Sequence, residues 1–236
     1  YRQWVKGDDL VPFRVVVKET NLFIRASTDL KRKALRLVLK YRNILESYIE
    51  QHPIFLTSLE PVSVGDNVPR IVKLMAEATS KVGVGPMASV AGAIAELVGS
   101  ELLAFSPEII VENGGDIYLK SLKKRIVGIY AGKSPLSGQL GLEIEANETP
   151  LGICTSSGTV GHSFSFGKAD AAVLLSKSTF LADAAATAIC NRIKEPADIP
   201  AAIEFAQSIK GLKGLLVIKD DKVGVWGEVK VCRLAR

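Results

Sequence analysis

Residues 155–191 hold the side chains with the clearest chemical capability, in the run TSSGTVGHSFSFGKADAAVLLSKSTFLADAAATAICN. The run opens with small hydroxyl residues and a glycine, which are Thr155, Ser156, Ser157 and Gly158. A loop of this composition is expected to expose backbone N–H groups that can bind an anionic ligand. His162 follows the loop, and its imidazole can accept or donate a proton near neutral pH.

Asp183 and Thr187 are a second candidate pair in the same run. They are four residues apart in a helix-forming segment, so both side-chain oxygens are expected on one face of the helix. A carboxylate beside a hydroxyl suits a hard cation such as Mg²⁺, which prefers oxygen ligands and often bridges to phosphate. The pair therefore predicts a metal site.

Each of these features also has a structural interpretation. Segments rich in glycine and serine commonly form turns. A lone histidine such as His162 is often structural, and an Asp/Thr pair near the start of a helix, such as Asp183 and Thr187, is often a capping device. Because binding sites need several converging groups, the clustering of the candidates gives the functional interpretation the same weight as the structural one.

Two further segments complete a recognisable pattern, VGVGPMASVAGAIAELVG at residues 82–99 and ENGGDIYL at residues 112–119. Together with TSSGTVGHS at residues 155–163 and ADAAAT at residues 182–187, they resemble the ApbE-like superfamily. This superfamily includes the FAD:protein FMN transferases, and the chain is most similar to a cytoplasmic branch found in archaea and bacteria. The resemblance implies an α+β fold, with helices packed on an antiparallel or mixed sheet.

The resemblance also implies a metal site. The Asp and Thr of the transferases' ADALAT-like stretch bind Mg²⁺, and they match Asp183 and Thr187 here. In the transferases a helix of small residues, with a lysine before a glycine, supplies a backbone carbonyl to the metal. The similar place in this chain holds Val90, Ala91 and Gly92, without the lysine.

A flavin or nucleotide pocket is the next implication of the resemblance. The glycine element near the flavin matches Gly114, Gly115 and Asp116, and the TSG loop matches Thr155, Ser156, Ser157 and Gly158. FAD or FMN would be the cofactor, and a phosphate-bearing small molecule the partner. The reaction class would be phosphoryl or FMN transfer, or hydrolysis of a diphosphate.

The transferases' HxxDPxTG motif is where the chain departs from the resemblance. Residues 162–168 read HSFSFGK, so only the histidine is retained. The resemblance then assigns proton transfer to His162. Without the Asp-Pro and Thr-Gly pairs, we expect FMN transfer onto a protein hydroxyl to be weak or absent.

A non-catalytic binding or accessory protein is the alternative function. The altered motif favours it, and the association of some archaeal relatives with sulfur assimilation suggests a role in homocysteine formation. Cys154 lies beside the hydroxyl-rich loop and either lines the pocket or packs as a small apolar side chain. A reactive thiol would favour the sulfur role.

Bulk properties limit the classes of function. A chain of 236 residues with 47% hydrophobic residues can form one domain, over residues 1–236, with a substantial core. The net charge of +5 is a mild excess. Its densest basic run, residues 31–36, alternates with apolar residues at helical spacing, which favours a solvated helix face over a nucleic-acid surface. Three widely spaced cysteines predict reduced thiols without a disulfide scaffold.

A cytoplasmic location is expected, without a membrane partner. The chain begins without a signal peptide or a lipobox-like cysteine. The apolar segment 82–105 approaches the length of a membrane span, but it contains Pro86, Glu96 and Glu101. Because carboxylates inside a membrane are costly, this segment predicts a buried helix.

The hydrophobic pattern predicts elements that place these motifs. Helices are expected at residues 30–51, 70–80, 86–103, 180–193 and 199–210. Strands are expected at residues 13–18, 21–26, 108–112, 116–120, 125–131, 140–145, 171–176, 215–219 and 222–226. Grouped strands without regular β-α-β alternation predict the α+β class.

Overall fold

An eight-stranded antiparallel sheet is the framework of the fold. The computed structural model describes residues 9–160 and 166–234. The sheet has the order β1 (Val11–Val17), β2 (Thr20–Ala26), β3 (Ile109–Asn113), β4 (Asp116–Lys120), β7 (Leu151–Ser156), β8 (Ala171–Ser176), β9 (Leu212–Lys219) and β10 (Lys222–Gly227). A three-stranded antiparallel sheet contains β5 (Arg125–Gly128), β6 (Leu140–Ile144) and β11 (Val231–Arg233), in the order β11-β6-β5.

The helices lie on one face of the large sheet. They are α1 (Lys31–Gln51), α2 (Ile54–Thr57), α3 (Arg70–Ser80), α4 (Val90–Leu102), α5 (Thr179–Arg192) and α6 (Ile199–Ser208). Short 3-10 helices cover Pro86–Ser89, Ala146–Glu148 and Pro196–Asp198. Helices on an antiparallel sheet confirm the predicted α+β class, whereas the prediction of a single domain over residues 1–236 stays a prediction.

Alternating side chains divide the core into two layers. On β3, Ile109 and Val111 belong to the cluster under the helices, whereas Ile110 belongs to the cluster on the opposite face. On β8, Leu174 and Val173 divide in the same way. Because successive strand residues point to opposite faces, a strand buried on both sides reads as a continuous apolar run. The three-stranded sheet contributes Val127 and Leu142 to the second layer, and so covers the face without helices.

Helix α5 is seated directly on strand β7. A side chain at Gly152 would place its Cβ 2.6 Å from Thr179 Cα, so only a glycine lets the helix start at this position. The helix leads from Gly152 toward Gly167, whose missing Cβ leaves room for the backbone of Cys190. Its alanines allow this close approach, and most of its residues are buried.

Several element bounds agree with the sequence and three elements were not expected. The bounds of α3, β4 and β8 are as predicted. The structure corrects the predicted start of the hydroxyl-rich loop. The loop was expected to begin at Thr155, but Thr155 and Ser156 are the last two residues of strand β7. Its sequence, LGICTS, mixes apolar with small polar residues and so lacks a clear strand signal. The one-turn helix α2 and the three-residue strand β11 are too short to have a periodic pattern.

The apolar segment 82–105 forms the 3-10 helix Pro86–Ser89 and helix α4, and most of α4 is buried in the core. Over residues 9–160 and 166–234, none of the helices has the combination of length and apolar character needed to cross a membrane.

Gly152→Ala tests the seating of α5. The added methyl group would overlap Thr179, so we expect the free energy of unfolding to fall by about 1–3 kcal/mol in urea titrations. Gly65→Ala is the control, because a Cβ there has no heavy atom within 4 Å. The control should change stability by less than about 1 kcal/mol. Equal stability of the two variants would contradict the close contact.

Candidate active site

The segment ENGGD forms the tight hairpin between β3 and β4. Asn113 pairs with Asp116 across the turn, and Gly114 and Gly115 have φ values of 68° and 112°. Residues with side chains rarely adopt this left-handed backbone, so the two glycines allow the turn. The N–H of Gly115 donates to Glu112 Oε1 at 2.9 Å, which fixes the turn from the side.

Asn113 and Asp116 both point toward the helices. Their alternate neighbours on the strands, Val111 and Tyr118, belong to the core layer under the helices. Asn113 Nδ2 donates to the backbone carbonyl of Ala91 at 3.1 Å, near the start of α4. Asp116 is 7% exposed, and its Oδ1 has no hydrogen-bond partner within the described part of the chain. Buried carboxylate oxygens usually have a donor, so this atom requires an explanation.

Helices α4 and α5 cap each other at a close crossing. The N–H of Gly92 in α4 donates to Asp183 Oδ2 of α5 at 2.8 Å, and the N–H of Thr179 in α5 donates to Glu96 Oε2 of α4 at 2.5 Å. A Cβ at Gly92 would lie 2.5 Å from the carbonyl oxygen of Thr179 and 2.8 Å from Asp183 Cβ. Each carboxylate therefore satisfies an N–H group that helix geometry leaves unpaired. Asp183 therefore caps α4, whereas the structural interpretation of the sequence expected it to cap the start of its own helix, a position that Ser178 occupies.

Burial of the two aspartates changes their titration. Burial raises the pKa of Asp116 to about 7, and the charge of Glu112 acts in the same direction, whereas hydrogen bonds from the Cys154 thiol and the backbone of Thr155 oppose it. Burial also raises the pKa of Asp183 well above its usual range, and the charge of Asp116 adds to this effect. The N–H groups of Gly92 and Ala91 oppose it only in part. Asp116 and Asp183 are therefore close enough to repel each other when both are ionised.

Cys154 lies in the core beneath the start of α5. It is completely buried, and its single thiol proton is shared between the carbonyl oxygen of Thr179, at 3.6 Å from the sulfur, and the Asp116 carboxylate. Burial raises the pKa of Cys154 well above its usual range, and the nearby charges of Asp116 and Asp183 raise it further. A buried thiol of high pKa is a poor nucleophile, so the structure favours packing for this side chain.

Strand β7 brings the TSSG segment against the glycine hairpin. A Cβ at Gly115 would lie 3.6 Å from the carbonyl oxygen of Thr155. Ser156 is buried on the helix-facing side of β7, the side of Cys154, whereas Thr155 lies on the other side. Two of the predicted pocket segments therefore lie side by side at one end of the sheet.

The backbone of the TSSG loop is largely paired within the chain. The N–H of Gly158 donates to the carbonyl oxygen of Ala169 at 2.9 Å. The N–H groups of Thr159 and Val160 both donate to Ser157 Oγ, at 3.1 Å each. The expectation that this loop exposes many free N–H groups is thus wrong for Gly158, because the loop closes on the strand that follows it.

Two predicted site residues are less defined by the structure. His162 lies outside the described residues. Thr187 lies one turn after Asp183 on α5 and is partly exposed. Since α5 leads along β7 toward the loop, Thr187 is nearer the loop than Asp183 is. The assignment of metal binding to Asp183 and Thr187 stays a prediction.

No group of three or more His, Cys, Asp or Glu side chains suited to a metal ion occurs in residues 9–160 and 166–234. A cation at Asp183 would therefore need hydroxyl, carbonyl or ligand oxygens as well. Two surface cavities lie elsewhere. One of about 590 Å³ is bounded by Asn43 on α1 and Pro69, and one of about 290 Å³ is bounded by Lys133 and Asp221.

Asn113 and Glu96 are the residues that sequence reasoning left without a role. Asn113 lies within the ENGGD segment without an assigned role, yet it links the hairpin to Ala91. Glu96 caps α5, and the sequence signal for it was a carboxylate near the middle of a mostly apolar helix, whose other carboxylate is Glu101 near the end. Burial raises the pKa of Glu96, and the backbone N–H of Thr179 opposes that shift. A buried charge of this kind normally has a specific partner.

The fold and these motifs together define a member of the ApbE-like superfamily. Within it, the chain belongs to the family described as AbpE bacteria, whose model matches residues 2–218. A UPF0280 protein of Methanocaldococcus jannaschii is 47% identical over 222 residues, which cover 92% of this chain and 90% of the relative. A UPF0280 protein of Methanopyrus kandleri is 44% identical over 221 residues, which cover 91% of this chain and 89% of that relative.

Solved structures share the fold at much lower identity. The flavinyl transferase ApbE of Pseudomonas stutzeri superposes with a TM-score of 0.59 at 13% identity, over 92% of this chain and 94% of that chain. The flavin transferase ApbE of Vibrio cholerae gives a TM-score of 0.51 at 14% identity, over 92% and 96%. The predicted membership of the superfamily is thereby confirmed.

Thiol labelling tests the role of Cys154. In the native protein we expect iodoacetamide to modify the partly exposed Cys232 and to leave Cys154 unmodified, because Cys154 is completely buried and has a raised pKa. Peptide mass spectrometry before and after unfolding in urea measures both sites. Faster native labelling of Cys154 than of Cys232 would restore a reactive-thiol role.

Proposed function

We propose that this protein binds a phosphate-bearing flavin or nucleotide together with a divalent cation, and that it catalyses phosphoryl-type transfer or hydrolysis at the diphosphate. The observation that carries the proposal is the convergence of three separate segments. Gly115 lies against Thr155, and above the sheet α5 presents Asp183 and Thr187 along β7. Residues far apart in sequence thus meet at one end of the sheet, as a binding site requires.

The oxygen atoms that α5 and the start of α4 offer fit a cation such as Mg²⁺. Asp183 offers a carboxylate, Thr187 a hydroxyl and Ala91 a backbone carbonyl, and all three are the oxygen donors that Mg²⁺ prefers. The carbonyl of Ala91 accepts one hydrogen bond from Asn113, and a carbonyl oxygen has a second lone pair. When bound, the cation would neutralise charge on the diphosphate and polarise its phosphorus–oxygen bonds.

The remaining groups would bind and orient the ligand. Gly114 and Gly115 have no side chains, so a ligand can approach the backbone of the hairpin turn. Ser156 supplies a hydroxyl group on the helix-facing side of β7 and Ser157 supplies one in the loop, whereas Thr155 faces the other side and contributes its backbone beside Gly115. His162 is proposed to accept the proton of the attacking hydroxyl group or water, in keeping with its place directly after the loop.

The names of the structural relatives support a flavin as the ligand, since both solved proteins are called flavin or flavinyl transferases. The sequence HSFSFGK at residues 162–168, in place of HxxDPxTG, supports an acceptor other than the protein hydroxyl group that the transferases modify. The relatives described above give no support to a role in sulfur assimilation, and the burial of Cys154 removes the thiol on which that alternative depended.

Ligand-induced stabilisation tests the site. We expect the melting temperature to rise when Mg²⁺ and FAD are added together, because a ligand at about 100 times its Kd stabilises the folded state by about 2.7 kcal/mol. Asp183→Asn should abolish this rise while retaining an oxygen that accepts from Gly92. Asp66→Asn is the matched control, because this side chain is fully exposed. An unchanged rise in Asp183→Asn would reject the metal assignment.

Product analysis tests the reaction. With FAD, Mg²⁺ and water as the acceptor, hydrolysis would yield FMN and AMP, which mass spectrometry separates. We expect no flavin to become attached to a Ser/Thr acceptor peptide, because the DPxTG part of the motif is absent. Robust covalent flavinylation of the peptide would overturn this expectation.

His162→Asn tests the proton acceptor. We expect it to remove most turnover and to preserve the Mg²⁺–FAD rise in melting temperature, because a general base acts on the transition state and not on ground-state binding. A structural histidine predicts the opposite pattern, a loss of about 1–3 kcal/mol in stability with normal specific activity in the folded fraction.

A further inference from the structure

Asp116 is the buried group that the proposed ligand contacts leave unexplained. It is 7% exposed, and its Oδ1 lacks a hydrogen-bond donor among the described residues. The carboxylate does interact with the Cys154 thiol and the backbone of Thr155. One oxygen of a buried carboxylate therefore remains available inside the site, and such an atom commonly indicates an ion or ligand.

The start of α4 places Asp116 close to Asp183. Asn113 is directly opposite Asp116 in the hairpin, so their side chains are neighbours on the same face of the sheet. Asn113 contacts the carbonyl of Ala91, and Asp183 contacts the N–H of the next residue, Gly92. The two carboxylates thus approach one short piece of backbone, Asp116 from the sheet and Asp183 from α5.

Within residues 9–160 and 166–234, no positively charged side chain balances the negative charge of Asp116 and Asp183. The groups there that act electrostatically on Asp116 and Asp183 include Glu112 and the partner aspartate, but no lysine or arginine. Buried charges in proteins are normally paired with an opposite charge or coordinate a metal. Elsewhere in this chain that rule is followed, since the equally buried Glu108 is paired with Arg125.

We propose that Asp116 and Asp183 together form a two-carboxylate site for a divalent cation, which the protein binds before any phosphate ligand arrives. The inference rests on the proposed function and deepens it. Two carboxylates balance the charge of a divalent cation, whereas a single carboxylate would leave the cation dependent on the phosphates of the ligand. The strand and the helix then contribute one charge each, and the cation holds α5 to the glycine hairpin.

Mn²⁺ binding without nucleotide tests the inference, because the electron paramagnetic resonance signal of free Mn²⁺ falls when the ion binds. We expect the wild-type protein to bind Mn²⁺ alone. Asp116→Asn and Asp183→Asn should each weaken this binding by about tenfold or more, the range seen when a supporting group of a metal site is lost. The metal-free Asp116→Asn protein should melt at the same or a higher temperature than the wild type, because a repulsive charge has been removed.

Glu108→Gln is the matched control for this experiment. It makes the same change from carboxylate to amide at a residue that is also 7% exposed, but Glu108 accepts hydrogen bonds from Arg125, Ser121 and Leu122. Its loss should lower the metal-free melting temperature, since a paired buried charge is disrupted, and should leave Mn²⁺ affinity unchanged.

The outcomes separate this inference from the proposed function. Wild-type affinity for Mn²⁺ in Asp116→Asn, or a lower metal-free melting temperature in that variant as in Glu108→Gln, would overturn the two-carboxylate site. Binding of Mn²⁺ only in the presence of FAD would also overturn it, while the proposed function would stand. Binding of Mn²⁺ through both aspartates without any effect of FAD would support the inference and reject the flavin ligand.

Discussion

The close crossing of α4 and α5 is the contact on which the rest of the site depends. Gly92 has no side chain, so the backbone of Thr179 can approach α4 closely, and the two helices exchange capping carboxylates through Glu96 and Asp183. Together with the seating of α5 on β7, this contact fixes the position of Asp183 over the sheet. The crossing also orients the start of α4, so that the carbonyl of Ala91 is held by Asn113 of the glycine hairpin. One interhelical contact therefore sets the relative positions of three sequence motifs.

The same arrangement places unfavourable charge in the core. Asp183 gains hydrogen bonds from α4, yet it lies near the buried Asp116, and burial raises the pKa of both carboxyls. A fold selected for stability alone would place amides or apolar groups here, because unpaired buried carboxylates are destabilising. Glu108 and Arg125 show that the chain pairs buried charge at the other end of β3. Buried charge is paired at one end of β3 and unpaired at the other, and this contrast is the physical reason to assign a function to the end that holds Asp116 and Asp183.

Much of the fold could be predicted from the sequence, and the contacts within the site could not. Strongly periodic segments such as α3 and the apolar strand β8 were predicted with their observed bounds. Strand β7 was missed because LGICTS is short and mixes apolar with small polar residues, and it owes its conformation to pairing with β4 and β8. The motifs identified Asp116 and Asp183 as site residues, but their proximity depends on how Asn113 and Gly92 meet the same part of α4. Such a relation is tertiary and has no local signal.

The order of the strands in the large sheet has a consequence for how the chain folds. Each strand lies beside its predecessor in sequence, apart from the excursion through β5 and β6, but the segment that contains α1 to α4 separates β2 from β3 along the chain. The pairing of Leu22 with Asn113 between these strands and the bond between Gly92 and Asp183 each join residues that lie 91 positions apart. Closure of a long loop is entropically unfavourable until the intervening structure has formed. Both contacts are therefore expected to form late in folding, and a chain interrupted before α5 would contain most of its strands but would lack Asp183 and so the proposed cation site.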